Sequence, residues 1–162
     1  MQEYGKKEQY LPCTEYGPGD FISGDWIRCA DGPDLPLQVL YPVEDGLWLR
    51  HSFTWDEYGN PIRLDIKSKM DFMSVDLIQI DKEILEKIGF KCDDQYAFYD
   101  IDENTYLYYY FYEHRLDKIY HGIDEWENHA EVKDIMFRAT VRTVDDLHHA
   151  FKMANVNMEI KL

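Results

Sequence analysis

Cysteine is scarce in this sequence. Cys13, Cys29 and Cys92 are the whole complement, an odd number with no C-x-x-C spacing. Neither a disulfide framework nor a zinc knuckle is implied by that pattern. Long apolar runs are missing as well. The amino terminus, MQEYGKKEQYLPC, lacks the hydrophobic stretch of a signal peptide, and nothing downstream approaches the length of a membrane-spanning helix. Both absences point to a cytoplasmic protein without membrane contact.

Basic residues are the third shortage. Lys and Arg number 17 against 32 Asp and Glu, giving a formal net charge of -15. Residues 1–80 carry 14 acids and 7 bases, and residues 81–162 carry 18 and 10, so the halves contribute -7 and -8. No acidic tail accounts for the excess. A field of this sign repels phosphates and anionic headgroups and attracts basic partners. The expected partner is therefore a basic protein surface, with nucleic acid and membrane disfavoured; the oligomeric state is open.

Catalytic signatures are also lacking. The chain holds no G-x-S-x-G and no Cys-His pair in a recognisable protease context. Gly17-Pro18-Gly19 contains a proline and has no Lys-Ser/Thr after it, so it is no phosphate loop. Carboxylates are so abundant that two falling close together carries no information. No cofactor is implied.

What the chain has is aromatic mass. Its 162 residues include 13 Tyr, 8 Phe and 4 Trp, and 45% of residues are hydrophobic, enough to build a core. Residues 1–17 read as a loosely ordered arm. From 18 to 80 come short apolar runs separated by turn signals: FISGDWIRC, LQVLYPV, LWLRHSF, IRLDI and MDFMSVDLIQI. Asp45-Gly46 between two such runs marks a hairpin. Ile62, Leu64 and Ile66 alternate with polar residues as a strand would require. About five short strands in this stretch suggest a small SH3-like barrel.

Residues 81–162 read as an α+β lobe. Asp81 can cap a helix over 82–88, with Ile84, Leu85 and Ile88 on one face, Gly89 at the left-handed ending and Phe90 beyond it. YAFYD and TYLYYYFY follow as strands, with a turn expected near Asp117-Lys118. IDEWENHAEVKD is ambiguous between an irregular loop and a short helix, and IMFRATV reads as a strand. Thr143 can cap a second helix over 144–154, whose Val144, Leu147, Phe151 and Ala154 follow helical spacing. NMEIKL alternates like a final strand. The fold class is thus α+β: an amino-terminal small barrel, then a strand meander with two helices.

DKEILEKIGF and TVDDLHHAFKMANVNMEI together resemble a family of small bacterial and phage proteins. Those proteins share a short helix ending in Gly-Phe and a carboxy-terminal Leu-x-His-Ala helix, here Leu147, His149 and Ala150. The resemblance covers about 30 residues directly, and it implies no activity.

Three constellations invite a chemical reading. His121, Glu125 and His129 stand at four-residue steps, which a helix would stack along one face as metal ligands; a solvated loop accounts for them otherwise. Asp100, Asp102 and Asn104 copy the start of a calcium loop, but Thr105 stands where glycine is needed and Phe111 where the bidentate Glu belongs. An acidic turn explains the same residues. His148 and His149, adjacent on a helix, diverge by roughly 100° and cannot readily share an ion. These leave a small hydrolase or metal-dependent enzyme using His121, His129 or His149 as the second reading.

The leading reading rests on TYLYYYFY. Alternation puts Tyr106, Tyr108, Tyr110 and Tyr112 on one face and Leu107, Tyr109 and Phe111 on the other. The second set suits a core. The first is either packed against cross-strand neighbours or helices, or a contact platform of a kind favoured at interfaces. Base stacking is disfavoured because residues 92–112 hold five acids and no Lys or Arg. The sequence reads best as a non-enzymatic acidic interaction module, an inhibitor or accessory factor.

Overall fold

Antiparallel pairing organises both halves of the chain. The computed structural model describes residues 16–124 and 130–162. The chain falls into two units, Met1–Ile78 and Gln79–Leu162. The class is α+β, mostly antiparallel sheet with two α-helices among the described residues.

In the first unit the strands are β1 (Trp26–Cys29), β2 (Leu37–Val43), β3 (Gly46–Leu49), β4 (Ser52–Trp55), β5 (Pro61–Leu64), β6 (Ser68–Asp71) and β7 (Val75–Leu77). Five of them form one sheet in the order β6-β3-β2-β1-β7, and β4-β5 stand apart as a two-stranded hairpin. A 3-10 turn over Phe72–Ser74 separates β6 from β7. Phe21, Ile27, Leu37, Val39, Leu47, Leu49, Phe72 and Val75 form the core. Period-two burial in β2 and β3 supplies it, with Leu37 and Val39 inward on one strand and Leu47 and Leu49 on the next. Across β1 and β7 the directly opposed Arg28 and Asp76 form an ion pair at 2.6 Å.

The expected hairpin at Asp45-Gly46 is present, since Val43 pairs with Gly46. Its glycine has a different reason from the expected one. Gly46 is not among the positive-φ residues; instead, a Cβ there would lie 2.3 Å from the Met70 carbonyl oxygen on β6. Two other expectations need correction. MDFMSVDLIQI is broken by the 3-10 turn, which swings Phe72 into the core, and IRLDI ends its strand at Leu64, leaving Ile66 exposed. Of the expected amino-terminal arm, residues 1–15 lie outside the described residues. Tyr16 packs edge-on against Phe21 with ring centroids 5.5 Å apart.

In the second unit β8 (Lys91–Cys92), β9 (Tyr96–Asp100), β10 (Thr105–Tyr110), β11 (Arg115–Asp124) and β12 (Ala130–Thr140) form a meander in the order β12-β11-β10-β9-β8. Helix α1 (Lys82–Ile88) precedes it and α2 (Val144–Met153) follows. Both start as the sequence predicts. The Ile84 amide donates to the Asp81 carboxylate at 2.8 Å. At α2 the Asp146 amide donates to the Thr143 hydroxyl, and the Asp146 carboxylate accepts from the Thr143 amide in return, a reciprocal cap. Val144, Leu147, Ala150 and Phe151 are buried, as the helical spacing requires.

The meander departs from expectation at three places. No turn occurs at Asp117-Lys118, which lie inside β11; the chain reverses at Phe111–His114, where His114 takes φ 50. Asp117 tolerates a mid-strand position because its buried carboxylate meets the Arg138 guanidinium. The carboxy-terminal NMEIKL forms no strand. Ile160 and Leu162 are buried, so its alternation tracks burial. The described part of IDEWENHAEVKD is strand, with residues 125–129 outside the described set.

The ending of α1 yields the first prediction. The Phe90 amide reaches the Leu85 carbonyl at 2.9 Å and the Gly89 amide reaches Glu86 at 3.1 Å, closing the helix with Gly89 at φ 123. A Cβ on Gly89 would also stand 3.3 Å from the Tyr99 ring. Gly89→Ala is expected to lower stability by on the order of 1 kcal/mol in denaturant titration, through left-handed strain. An unchanged midpoint would mean that another conformation closes the helix at no cost.

Candidate functional site

The pleat of β10 decides what its sheet presents. Leu107 and Tyr109 are buried, and the Tyr109 hydroxyl donates to the Val141 carbonyl at 2.7 Å. On the same face Tyr99 packs on Phe90, and the Lys118 ammonium donates to the Ala154 carbonyl at the end of α2 at 2.9 Å. Helix ends therefore lie against this side. Tyr106, Tyr108 and Tyr110 occupy the other side and are half-buried.

These three rings stand in edge-to-face contact, Tyr106 to Tyr108 at 6.3 Å and Tyr108 to Tyr110 at 4.8 Å. Tyr96, opposite Tyr110 on β9, adds a fourth ring 4.9 Å from Tyr108. Such geometry matches the preference of the ring quadrupoles and holds the side chains in place. The Tyr108 hydroxyl pKa is pushed up to about 12 by burial and by its hydrogen bond with Tyr96. It stays protonated and able to donate throughout the neutral range. Tyr112 does not share the row. It lies past the strand end in the Phe111–His114 turn, 96% exposed.

Register adds residues that reading along β10 alone could not find. Tyr110 faces Arg115, whose guanidinium carbon sits 4.2 Å from the Tyr110 ring centroid. Tyr108 faces Asp117, and Asp117 faces Arg138 on β12. Arg138 engages both Asp117 oxygens, Nε to Oδ1 at 2.8 Å and an Nη to Oδ2 at 3.0 Å, while Arg115 Nε approaches at 3.5 Å. The face is thus a band of tyrosines beside a buried carboxylate held by arginine. Locating the turn at 111–114 would have placed Arg115 and Asp117 there, but the sequence offers no glycine or proline to mark it.

Acidic turns border the band. The Asp93 carboxylate accepts from the Gln95 and Tyr96 amides, and Asp102 accepts from those of Asn104 and Thr105. These backbone donors hold both carboxyls below the ordinary value of 3.8. Asp102 therefore forms an acidic turn of the kind that explains Asp100, Asp102 and Asn104 without a calcium loop.

The described histidine candidates lie on different elements. His121 sits on β11, where its imidazole contacts Glu131 of β12, so the helical spacing that linked it to Glu125 and His129 does not apply. Glu125 and His129 lie outside the described residues. His148 and His149 are half-buried on α2, with ring centroids 6.2 Å apart. Among the described residues no group of three His, Cys, Asp or Glu side chains could hold a metal ion. None of the described helices is long and apolar enough to cross a membrane.

One histidine the sequence did not single out is chemically constrained. His51, in the first unit, is buried and stacked on Trp26 at 5.8 Å. Its Nδ1 accepts from the Gln38 amide at 3.1 Å, which places the proton on Nε2, 3.6 Å from the Asp65 carboxylate. Arg63 lies over the other aromatic partner, 5.3 Å from the Trp26 centroid. Burial first, then the positive charges of Arg63 and Arg50, lower the His51 pKa from 6.5 against the opposing pull of Asp65.

Two predictions follow from these charges. The fold prefers neutral His51, so its contribution is complete above pH 6.5 and is lost as pH falls through that value toward the lower folded pKa. His51→Asn, which keeps an acceptor near Nδ1, is expected to flatten the dependence of the denaturant midpoint between pH 7.5 and 5.5, about the range in which histidine titrates. An equal slope in both proteins would assign the dependence to other groups. For the buried Asp117, Arg138→Leu leaves the carboxylate only the longer approach of Arg115, and a second substitution, Asp117→Leu, removes that poorly paired charge. The double variant is expected to melt above the single Arg138→Leu variant; the reverse order would show that Asp117 is solvated when unpaired.

Comparison with family models, with curated proteins and with solved structures finds no match to this chain.

Proposed function

We propose that this chain is a non-enzymatic protein-interaction module, an inhibitor or accessory factor, that engages a basic protein through the tyrosine face of its second unit. The observation that carries the reading is the half-buried row Tyr106, Tyr108 and Tyr110, joined by Tyr96, on the side of the sheet opposite Leu107 and Tyr109. Tyrosine with arginine is the composition in which binding energy concentrates at interfaces. Rings already braced against one another lose little freedom when a partner covers them. The acidic border and the net charge of -15 supply attraction for a basic surface and repulsion for phosphates.

The reading extends to the whole chain. The first unit is taken as a small SH3-like barrel, supported by the order β6-β3-β2-β1-β7, the 3-10 turn before β7, and a β4-β5 hairpin inserted between β3 and β6. Membership of the family of small bacterial and phage proteins rests on the Gly-Phe helix ending and the Leu-x-His-Ala helix, and a cytoplasmic site of action is part of the same reading. For the second reading, a hydrolase or metal-dependent enzyme, the described residues offer no group of three His, Cys, Asp or Glu side chains that could hold a metal.

The test is capture of basic proteins from a host extract on immobilised protein, at low and at physiological salt. Retention is expected to fall with salt through screening. Tyr108→Ala is expected to weaken retention about tenfold or more while leaving the circular dichroism spectrum unchanged. A retained set indifferent to both salt and Tyr108 would remove the reading, and loss of the fold in Tyr108→Ala would assign the row to structure.

A further inference from the structure

The two edges of the second unit's sheet are unlike. One ends in β8, a strand of 2 residues, a length that offers little to pair with. The other is β12, 11 residues long, and no described strand pairs with its outer side. Its bulge falls where Lys118 pairs with Phe137 and Ile119 with Ile135, leaving Met136 as the extra residue. Bulges protect an edge by bending it, and this one guards the carboxy-terminal half. Ala130–Asp134, on the far side of the bulge, pairs with β11 in unbroken register, and its outward backbone donors and acceptors meet no described strand.

The side chains along that row select an occupant. Glu131 and Lys133 lie two residues apart and so share a face, the one that carries Ile119 and His121. Glu131 is held there by contact with the His121 imidazole. An edge of one sign would welcome a strand of the opposite sign and reject its own copy. Alternation of sign does the reverse: an antiparallel copy centred on Val132 sets each Glu131 opposite the other chain's Lys133 and Val132 opposite itself. We propose that Ala130–Asp134 pairs antiparallel with the same segment of a second copy, joining two five-stranded sheets across a two-fold axis into one. This edge lies two strands from the tyrosine row of β10, though Glu131 and Lys133 project to the same face of the sheet, and the inference does not depend on that row.

The sign of the salt effect separates the two modes. Copies that each carry -15 repel, so dimerisation is expected to strengthen as salt rises, opposite to the capture of a basic protein. Sedimentation equilibrium over a broad concentration series should show a mass rising from 19.4 kDa toward twice that value. Lys133→Glu places like charges opposite each other twice and is expected to weaken the dimer about tenfold. Adding Glu131→Lys to it restores the opposite-sign pairs and should recover the affinity. Val132→Cys should give an interchain disulfide that the parent protein does not form. A monomer at every concentration overturns the proposal. So does a dimer that the Lys133→Glu charge reversal leaves unchanged, or one that the double variant fails to rescue.

Discussion

The alternation of β10 is the constraint from which the second unit's surface follows. Leu107 and Tyr109 are buried, and the Tyr109 hydroxyl is fixed to the Val141 carbonyl at 2.7 Å. A slip of one residue would turn Leu107 and Tyr109 outward and drive Tyr106, Tyr108 and Tyr110 inward. Three hydroxyls would then need buried partners, at roughly 1–3 kcal/mol for each left without one. The tyrosine face is therefore the consequence of a register fixed from its opposite side. Its neighbours Tyr96 and Arg115 arrive by the same ladder, not by any preference of their own segments.

Asp117 extends that register across the sheet. Its carboxylate is 1% exposed and takes two hydrogen bonds from Arg138 and a longer approach from Arg115. Burying a charge is tolerable only where its partner is present with good geometry. Tyr108, Asp117 and Arg138 stand in line across β10, β11 and β12, and any other alignment of β12 would leave the buried Asp117 carboxylate only the longer approach of Arg115. The same carboxylate lies beside the aromatic band, so the ordering of the surface and the ordering of the sheet are one arrangement.

What could be read from the sequence was local. Both α-helices, their Asp81 and Thr143 caps and the Gly89 ending depend on contacts within a few residues, and spacing alone discloses them. The alternation within TYLYYY was legible for the same reason. Asp117-Lys118 misled because a charged pair resembles a turn when its partner, Arg138, is 21 positions away. The actual reversal at Phe111–His114 carries no glycine or proline, and His114 itself takes the left-handed conformation. Tyr112 was assigned to the row by counting in twos past a strand end that nothing in the composition marks. His121 was aligned with Glu125 and His129 by a helical count, whereas it sits in a strand that counts in twos. The Gly46 contact with Met70 likewise joins strands more than 20 residues apart, beyond the reach of any turn rule.

The charges of the two units respond to acid in different ways. In the first, His51 must be neutral to accept from the Gln38 amide, and the nearby Arg63 and Arg50 oppose a further positive charge. In the second, Asp93 and Asp102 are bound as anions by the backbone of their own turns, which keeps them ionised below the ordinary carboxylate range. Mild acid therefore acts on the first unit's interior before it touches the acidic border of the tyrosine face. Asp93 and Asp102 thus keep negative charge beside that face to lower pH than ordinary carboxylates would.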